Sequence, residues 1–402
     1  MSASNALVFS FKTLFVPRCL SVGSVNRTLA AYRRQYHTLK TGPEPGDKIV
    51  EIAEVKRFMV DVMTAVETDK AHSEQLADVL AEADMRGHYS HGLNRLDMYM
   101  RDIKEKACKN SGKPEVLCER AATAWVNGNN LLGPVVGNFC IDLAIQKAKQ
   151  SGIGWVVANR SNHFGIAAYY SMKAAREGCL GLAFTNTSPI MYPTRASTPA
   201  LGTNPLTLAA EGLNGDSFVL DMATTTVAIG KVEIANRKET SVPNSWGVAA
   251  GGKVTTDTSK ILHGGGLLPL GGSEESGGYK GYGLGALVEI FCGILSGSHW
   301  GPNVRKWLST SAAADLGQCF AAIDPDAFAP DFRKRMQQFI DTMRGLMPAG
   351  EENVLVAGDP EREHIKMVHE NGGIPYHPNQ IKFADNLSSK LGIETMKVKR
   401  TV

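Results

Sequence analysis

The run Arg86-Gly87-His88-Tyr89-Ser90-His91-Gly92-Leu93-Asn94-Arg95, continuing to Tyr99, carries side chains that can move a proton and hold an acid. A histidine titrates near neutral pH and can take or give a proton. An arginine holds a carboxylate through two parallel hydrogen bonds. His91, Arg95 and Tyr99 stand at i, i+4 and i+8, so a helix would place a base, a cation and a phenol on one face. That set suits a 2-hydroxy or 2-oxo acid: His91 for the oxygen that reacts, Arg95 for the carboxylate that does not. The competing reading is an ordinary polar helix face capped by Ser90. His88 and His91 also make a His-x-x-His pair, which a zinc hydrolase would use. A zinc site needs a third protein ligand, and no obvious one stands nearby.

Three further segments carry polar chemistry. Arg160-Ser161-Asn162-His163-Phe164-Gly165 follows a predicted strand and opens a helix. In α/β proteins such loops hold ligands, and a helix N-terminus there suits an anion. A structural histidine in a tight turn explains His163 equally well. Asp221-Met222-Ala223-Thr224-Thr225-Thr226 sets three hydroxyls at an expected helix start, where they cap it or face a phosphate. Capping alone would need only one of them. Gly271-Gly272 and Gly277-Gly278-Tyr279-Lys280-Gly281-Tyr282-Gly283 permit close backbone approach, with Lys280 as a point charge. A flexible surface loop is the alternative there. No segment runs strand, Gly-x-Gly-x-x-Gly, helix. Gly152-Ile153-Gly154 follows a helix and precedes a strand, so a Rossmann dinucleotide fold is not supported.

Elements must position these groups. Helical periodicity runs over 49–66 and 73–85, and Gly87 breaks the second helix. Ser90 is expected to cap a helix reaching about Lys106. Further helices are expected over Asp142 to Gln150, Ile166 to Glu177, Thr224 to Asn236, Gly281 to Leu295 and Phe332 to Met347. A last one starts at Asp359-Pro360, with Asp as cap and Pro in its first turn. Strands are expected around Trp155-Val156-Val157, Leu180 to Phe184, Phe218 to Leu220, Phe320 to Ile323 and Val354 to Val356. Strands alternating with helices predict an α/β architecture. The expected organisation is a discontinuous helical or α+β unit from 44–120 with 300–390, an α/β sheet unit over 121–299, and a tail at 391–402.

Composition bounds the function class. The chain has 402 residues, 43% hydrophobic and 21% charged, so the bulk is globular. Net charge is +3, but Lys12, Arg18, Arg27, Arg33, Arg34 and Lys40 crowd the first 43 residues, which hold no acid. The remainder is net acidic, which argues against a nucleic-acid partner. The leader over 1–43 reads as a mitochondrial transit peptide, so the matrix is the expected location and the cytoplasm the alternative. The seven cysteines include no Cys-x-x-Cys pair, which argues against a disulfide framework and a zinc ribbon. The longest apolar run, Gly283 to Gly297, is too short to span a bilayer and contains Glu289, so no membrane partner is expected.

Ser90-His91-Gly92, Ser161-Asn162-His163-Phe164-Gly165, Leu201-Gly202-Thr203-Asn204-Pro205, Leu220-Asp221-Met222-Ala223-Thr224 and Gly278-Tyr279-Lys280-Gly281 occur in that order. Together they resemble the malate/L-lactate dehydrogenase family, across about residues 49–390. The resemblance implies a non-Rossmann fold that binds NAD, with NADP the alternative. It implies a homodimer, and a 2-hydroxy acid substrate of the malate or lactate type. It assigns His91 as acid/base residue, with Ser90, Arg95, Tyr99 and His163 around the substrate and Asn186 and Asn204 as polar lining. Asp221, Met222, Ala223, Thr224, Thr225, Thr226, Lys280, Gly281, Gly358, Asp359 and Pro360 are its expected cofactor contacts. No metal is implied. One departure stands out: Pro193-Thr194-Arg195-Ala196 replaces the Pro-Phe-Gly-Gly of many relatives. An inactive relative kept as a binding protein is the remaining alternative, although all five motifs retain their reactive side chains.

Overall fold

Strand β1 (Lys48–Val50) leads into helix α1 (Ile52–Thr64), which buries Val55, Phe58, Met59, Val62 and Met63 along one face. A computed structural model describes residues 42–306, 309–310 and 312–402. Nearly all of the expected leader therefore lies outside the described residues. Helix α2 (Lys70–Met85) begins at Asp69, whose carboxylate accepts the N–H groups of Ala71 and His72. It packs on α1 through Leu76, Ala77 and Leu80. After a short 3₁₀ turn at Leu93–Arg95 comes α3 (Leu96–Lys104). Ser90 does not cap that helix, contrary to expectation, because the chain at Gly92 (φ −101°, ψ −131°) is not helical and the helix proper starts a turn later.

Strands β2 (Glu115–Glu119) and β3 (Thr123–Asn127) form a hairpin at one edge of a large sheet. Helix α4 (Gly133–Ser151), longer at its start than expected, crosses over to β4 (Ile153–Ser161). Then follow α5 (Ala168–Arg176), β5 (Leu180–Thr185), β6 (Leu206–Glu211) and β7 (Ser217–Met222). Where a helix from Thr224 was expected, the chain runs through bends at Thr224, Thr226 and Val227, and α6 (Ile229–Arg237) starts later. The N–H groups of Thr224 and Thr226 bond to Thr203 and Leu268 carbonyls, which holds the segment out of a helix. Strands β8 (Gly247–Val248) and β9 (Val254–Thr255), helix α7 (Thr258–Leu262) and strand β10 (Gly266–Leu267) form a small satellite with α6. It surrounds its own cluster of Val227, Val232, Ala235, Val242, Ile261 and Leu267.

Helix α8 (Gly278–Glu289) continues as a π-helical turn over Ile290–Ile294. Strand β11 (Leu316–Ile323) then inserts between β4 and β5, antiparallel to both. The sheet order is β2-β3-β4-β11-β5-β6-β7, and β3 with β4 is its only parallel pair among the described residues. A segment expected in the helical unit thus supplies the middle strand of the sheet. Helix α4 lies on β4 and α5 on β5, close enough that strand glycines are required. A Cβ at Gly154 would stand 1.9 Å from the Ala144 carbonyl oxygen, and one at Gly181 would stand 2.1 Å from that of Ser171. Of the Gly-x-Gly at 152–154, Gly154 therefore serves helix packing and Gly152, at φ 83°, ends α4.

Helices α9 (Phe332–Arg344) and α10 (Asp359–Asn371), strand β12 (Ile374–Tyr376), helix α11 (Pro378–Leu391) and strand β13 (Arg400–Thr401) complete the chain. No strand forms at Val354 to Val356, where the Val356 N–H goes instead to the Asp359 carboxylate. The α10 cap is Gly358, at φ 97°, and Asp359 sits one position inside. The expected tail is ordered, since β1 is paired by β12 on one side and β13 on the other. Met367, Val368, Ile381 and Leu387 share one buried cluster with Phe58, Leu80, Phe164 and Phe320, so the first and last described helices pack in one core. The α/β, non-Rossmann architecture expected from the sequence is the one found.

Candidate active site

Helix α2 ends in a glycine turn that aims the His91 segment. Gly87 adopts φ 82°, its N–H bonds to the Asp84 carbonyl, and the His88 N–H reaches back to the Ala83 carbonyl. This closes the orphan carbonyls of the last turn and throws the chain sideways. The turn then closes on itself. The Leu93 N–H donates to Asp84 Oδ2 at 2.9 Å, Asn94 Nδ2 to the Tyr89 carbonyl at 2.9 Å, and Arg95 Nε to the Ser90 carbonyl at 2.7 Å. His91 and Arg95 are therefore neighbours through a folded turn, not along a common helix face. Ser90 Oγ stands 2.9 Å from His91 Nδ1 and orients the imidazole.

The second wall is the turn between β4 and α5. Gly165 takes φ 80° and packs against Val79 of α2, where a Cβ would come within 2.2 Å of the Val79 side chain. Phe164 is buried against Tyr170 and Phe320. Between these anchors the His163 ring stacks on that of His91, with centroids 5.9 Å apart. The Tyr99 hydroxyl donates to His163 Nδ1 at 2.6 Å, and the Gly165 N–H approaches the same atom at 3.3 Å. With Nδ1 accepting, the ring proton of the neutral form resides on Nε2. Burial and the nearby Arg95 charge push His163 down to about 3. Burial, then His163, Arg95 and His88, hold His91 well below its usual range. Both imidazoles are neutral at working pH, as a proton acceptor requires.

A relay supports His163 from behind. Asn162 Oδ1 accepts the His163 N–H at 2.7 Å, and Asn162 Nδ2 donates to Asp102 Oδ2 at 2.9 Å. Asp102 is in turn gripped by both Nη atoms of Arg305, at 3.2 and 3.0 Å. Neither Asp102 nor Arg305 stood out in the sequence, because the pair joins residues two hundred positions apart.

The remaining expected residues divide. Helix α6 begins beside the His91 turn, since an added Cβ at Gly230 would lie 3.7 Å from the Ser90 Cβ. Its N-cap, Ala228, offers no side-chain cap. Lys231 in its first turn is half-buried over the Trp246 ring, 5.8 Å from the centroid, and has no carboxylate partner among the described residues. Burial lowers its pKa. The Thr224 hydroxyl, however, donates to the carbonyls of Thr203 and Asn204, and that of Thr225 to Val227. Thr226 Oγ1 lies at the 3.4 Å limit from two carbonyls. Asp221 Oδ2 accepts the Ala168 N–H at 2.9 Å, next to the start of α5, and Met222 ends β7 ahead of Ala223. Gly281 serves close packing, since a Cβ there would stand 2.2 Å from the Leu270 carbonyl oxygen. Lys280 is exposed on the outer side of α8, beside Tyr279.

Asp359 is held by Arg344 and Arg362 and steadies Gly358 and Pro360 against β7, where the Val219 N–H bonds to the Ala357 carbonyl. His88 faces Glu361 of α10 at 3.4 Å. Among the described residues no three His, Cys, Asp or Glu side chains converge as metal ligands, and nothing joins His88 and His91 into such a set. Asn186 and Asn204 are fully buried and fully used. Asn186 binds Glu289 Oε1 at 2.9 Å, the His299 carbonyl at 2.8 Å and the Gly317 N–H at 2.9 Å. Asn204 binds Glu289 Oε2 at 2.6 Å, the Gly285 carbonyl at 3.0 Å and the Thr187 N–H at 3.1 Å. They sequester the one acid in the apolar run of α8, with their polar atoms bonded inside the protein. That lone acid, Glu289, was the sequence signal for a buried carboxylate. Arg195, at φ 68°, grips Glu274 with two hydrogen bonds and so fastens its turn to the glycine-rich loop.

A family model described as malate/L-lactate dehydrogenase matches residues 50–383. A malate dehydrogenase of Pyrococcus horikoshii is 37% identical over 350 residues, covering 84% of this chain and 94% of its own. The ureidoglycolate dehydrogenase (NAD(+)) of Escherichia coli is 32% identical over 285 residues, covering 70% and 78%. The crystal structure of malate dehydrogenase from Entamoeba histolytica superimposes with a TM-score of 0.82 at 33% identity, covering 87% of this chain and 99% of that one. The fold, the ordered motifs and these likenesses agree, and the chain belongs to the malate/L-lactate dehydrogenase family of 2-hydroxy acid dehydrogenases.

Proposed function

We propose that the chain catalyses reversible hydride transfer between a nicotinamide dinucleotide and a small 2-hydroxy acid of the malate or lactate type. The observation that carries this reading is the meeting of His91 and His163, from two turns, with Tyr99 of α3 and with Arg95 bonded into the His91 turn. The nicotinamide ring, when bound, accepts or returns the hydride of carbon 2. In oxidation the neutral His91 imidazole takes the hydroxyl proton, with Ser90 fixing its ring. In reduction it returns that proton to the carbonyl oxygen. His163 presents its Nε2–H as a donor, with the tautomer held by Tyr99. Arg95 holds the carboxylate, and the anion offsets the positive charge that depresses His91, so substrate binding raises the proton affinity of the imidazole.

An anionic cofactor fits one wall. The α6 start at Ala228 to Lys231 carries uncapped N–H groups and a half-buried ammonium beside the Ser90 turn. Thr224, Thr225 and Asp359 support that wall, because their polar atoms are committed to the protein. NAD is the favoured cofactor, with NADP the alternative. The name of the ureidoglycolate relative supports that order.

The assembly we favour is a homodimer. Tyr279, Tyr282, Leu287, Ile290 and Ile294 are exposed on one side of α8 and its π-helical turn, a face that a second copy would cover. The basic, acid-free leader supports delivery to the mitochondrial matrix.

Absorbance at 340 nm (an assay wavelength, about where reduced nicotinamides absorb) with both cofactors and a panel of 2-oxo acids tests the reaction. Turnover of oxaloacetate or pyruvate is expected, and silence across the panel overturns it. Light scattering of the purified protein tests the dimer, which a monomer at micromolar concentration would exclude. A leader–fluorophore fusion that stays cytosolic would do the same for the location.

A further inference from the structure

The scheme above leaves one buried acid unused. Asp84, in the last turn of α2, has no solvent exposure. Its Oδ2 accepts from the Leu93 N–H at 2.9 Å and from the Tyr376 hydroxyl at 2.6 Å. Its Oδ1 is buried without a hydrogen-bond partner. That bare oxygen lies against the backbone of Gly92, where a Cβ would stand only 1.9 Å away. The carboxyl is therefore pressed flat on the peptide that follows His91, and only glycine leaves room for it. Around it stand Tyr376 of β12, Tyr89 of the turn, His364 of α10 behind Tyr89, and Asp47 ahead of β1. Among the described residues no lysine or arginine pairs with Asp84. A carboxylate with one bare oxygen in such a place costs more than a neutral carboxyl with two donors on its other oxygen.

We propose that Asp84 is a positioning residue for the reaction. Its neutral form seats the Gly92–Leu93 peptide, and with it the His91 imidazole, and its ionisation unseats them. The proposal rests on the acid/base reading of His91. The electrostatics agree with the geometry: burial pushes the Asp84 carboxyl up to about 7, while His91 is held well below its usual range. An inflection near neutrality in the rate of the free enzyme then belongs to the acid beneath the turn and not to the imidazole on it.

The test is the pH profile of kcat/KM for oxaloacetate reduction in the wild type, Asp84→Asn and Tyr376→Phe. Wild-type kcat/KM is expected to fall by up to about tenfold per pH unit above its inflection. Asn has the shape of Asp and never ionises, so Asp84→Asn removes that limb. Tyr376→Phe takes a donor from the ionised form and moves the inflection upward. A retained limb in Asp84→Asn, or a uniform loss at every pH with the limb intact, overturns the proposal. If Asp84→Asn does not fold, an unmoved inflection in Tyr376→Phe overturns it instead.

A second readout needs no turnover. The folded pKa lies above the unfolded value of about 3.9. The contribution of Asp84 to stability is thus complete below that value and is lost as pH rises to about 7. The melting temperature of the ligand-free protein carries that slope in the wild type and loses it in Asp84→Asn. Lack of turnover in the wild type sinks the functional reading, whereas an unchanged melting slope in Asp84→Asn sinks this one.

Discussion

Two polar clusters in this molecule are built from motif residues, and they do opposite things with their hydrogen-bonding capacity. Around Glu289, the side chains of Asn186 and Asn204 spend every donor and acceptor on the protein. Around His91 and His163, the Ser90 and Tyr99 hydroxyls each engage one ring nitrogen, and His91 Nε2 stays uncommitted among the described residues. Both clusters hold the chain in place, but only the second keeps chemistry in reserve. The difference separates a polar residue that locks a fold from one that can act on a substrate.

Breaking the second cluster has the largest expected effect. His91→Ala should lower kcat by about 10²–10⁴-fold, the usual worth of a general base. Titration of reduced-nicotinamide fluorescence should still show cofactor binding, and near-normal turnover would contradict the assignment. Arg95→Leu should raise KM for the acid roughly tenfold or more, the worth of a charge-assisted pair, with cofactor affinity unmoved. An unaltered KM would remove Arg95 from the substrate.

Breaking the first cluster should look different. Asn186→Ala leaves a lobe of Glu289 and the Gly317 N–H unpaired and should cost about 1–3 kcal/mol of stability. Its kcat/KM per folded molecule should stay at the wild-type value, and denaturant titration with active-site normalisation checks both. A large change in KM with normal stability would put Asn186 back among the substrate contacts.

The same contrast extends to acid. His163 is depressed to about 3 in the folded chain, whereas an unfolded histidine titrates at about 6.5. The stability held by keeping it neutral is present above the unfolded value and declines as pH falls from there toward the folded one. His163→Gln should flatten that part of the acid limb in melting curves, and an unchanged limb would show that the ring is not shielded. The smallest effect is expected at Arg195. Its pair with Glu274 is exposed, and solvent screens such pairs, so Arg195→Ala should leave the melting temperature unmoved. A shift of several degrees would show that the strap holds the glycine-rich loop.

Much of the site was legible in the chain. His91, Arg95, Tyr99 and His163 sit in short motifs whose residue types state their chemistry, and Gly87 and Gly165 mark the turns that aim them. What spacing misjudged was the local backbone. The i, i+4 relation of His91 and Arg95 suggested a shared helix face, but the Asp84 carboxylate takes the Leu93 N–H and turns that stretch into a folded loop. Thr224 to Thr226 looked like a helix start, but carbonyls from Thr203 and Leu268 take their N–H groups and hold the segment out of a helix. Asp102 and Arg305 carried little local signal, since each acts through partners far along the chain.

The amino-acid order alone determined the alternation of strands and helices, the absence of a Rossmann turn and the side-chain chemistry of the candidate site. These depend on local periodicity, on glycine and on side-chain type, all of which are written in neighbouring residues. Only the tertiary structure decided which polar groups remain available to a ligand. That question turns on burial and on partners from distant segments, and a hydrogen bond once spent inside the protein cannot be offered outside it.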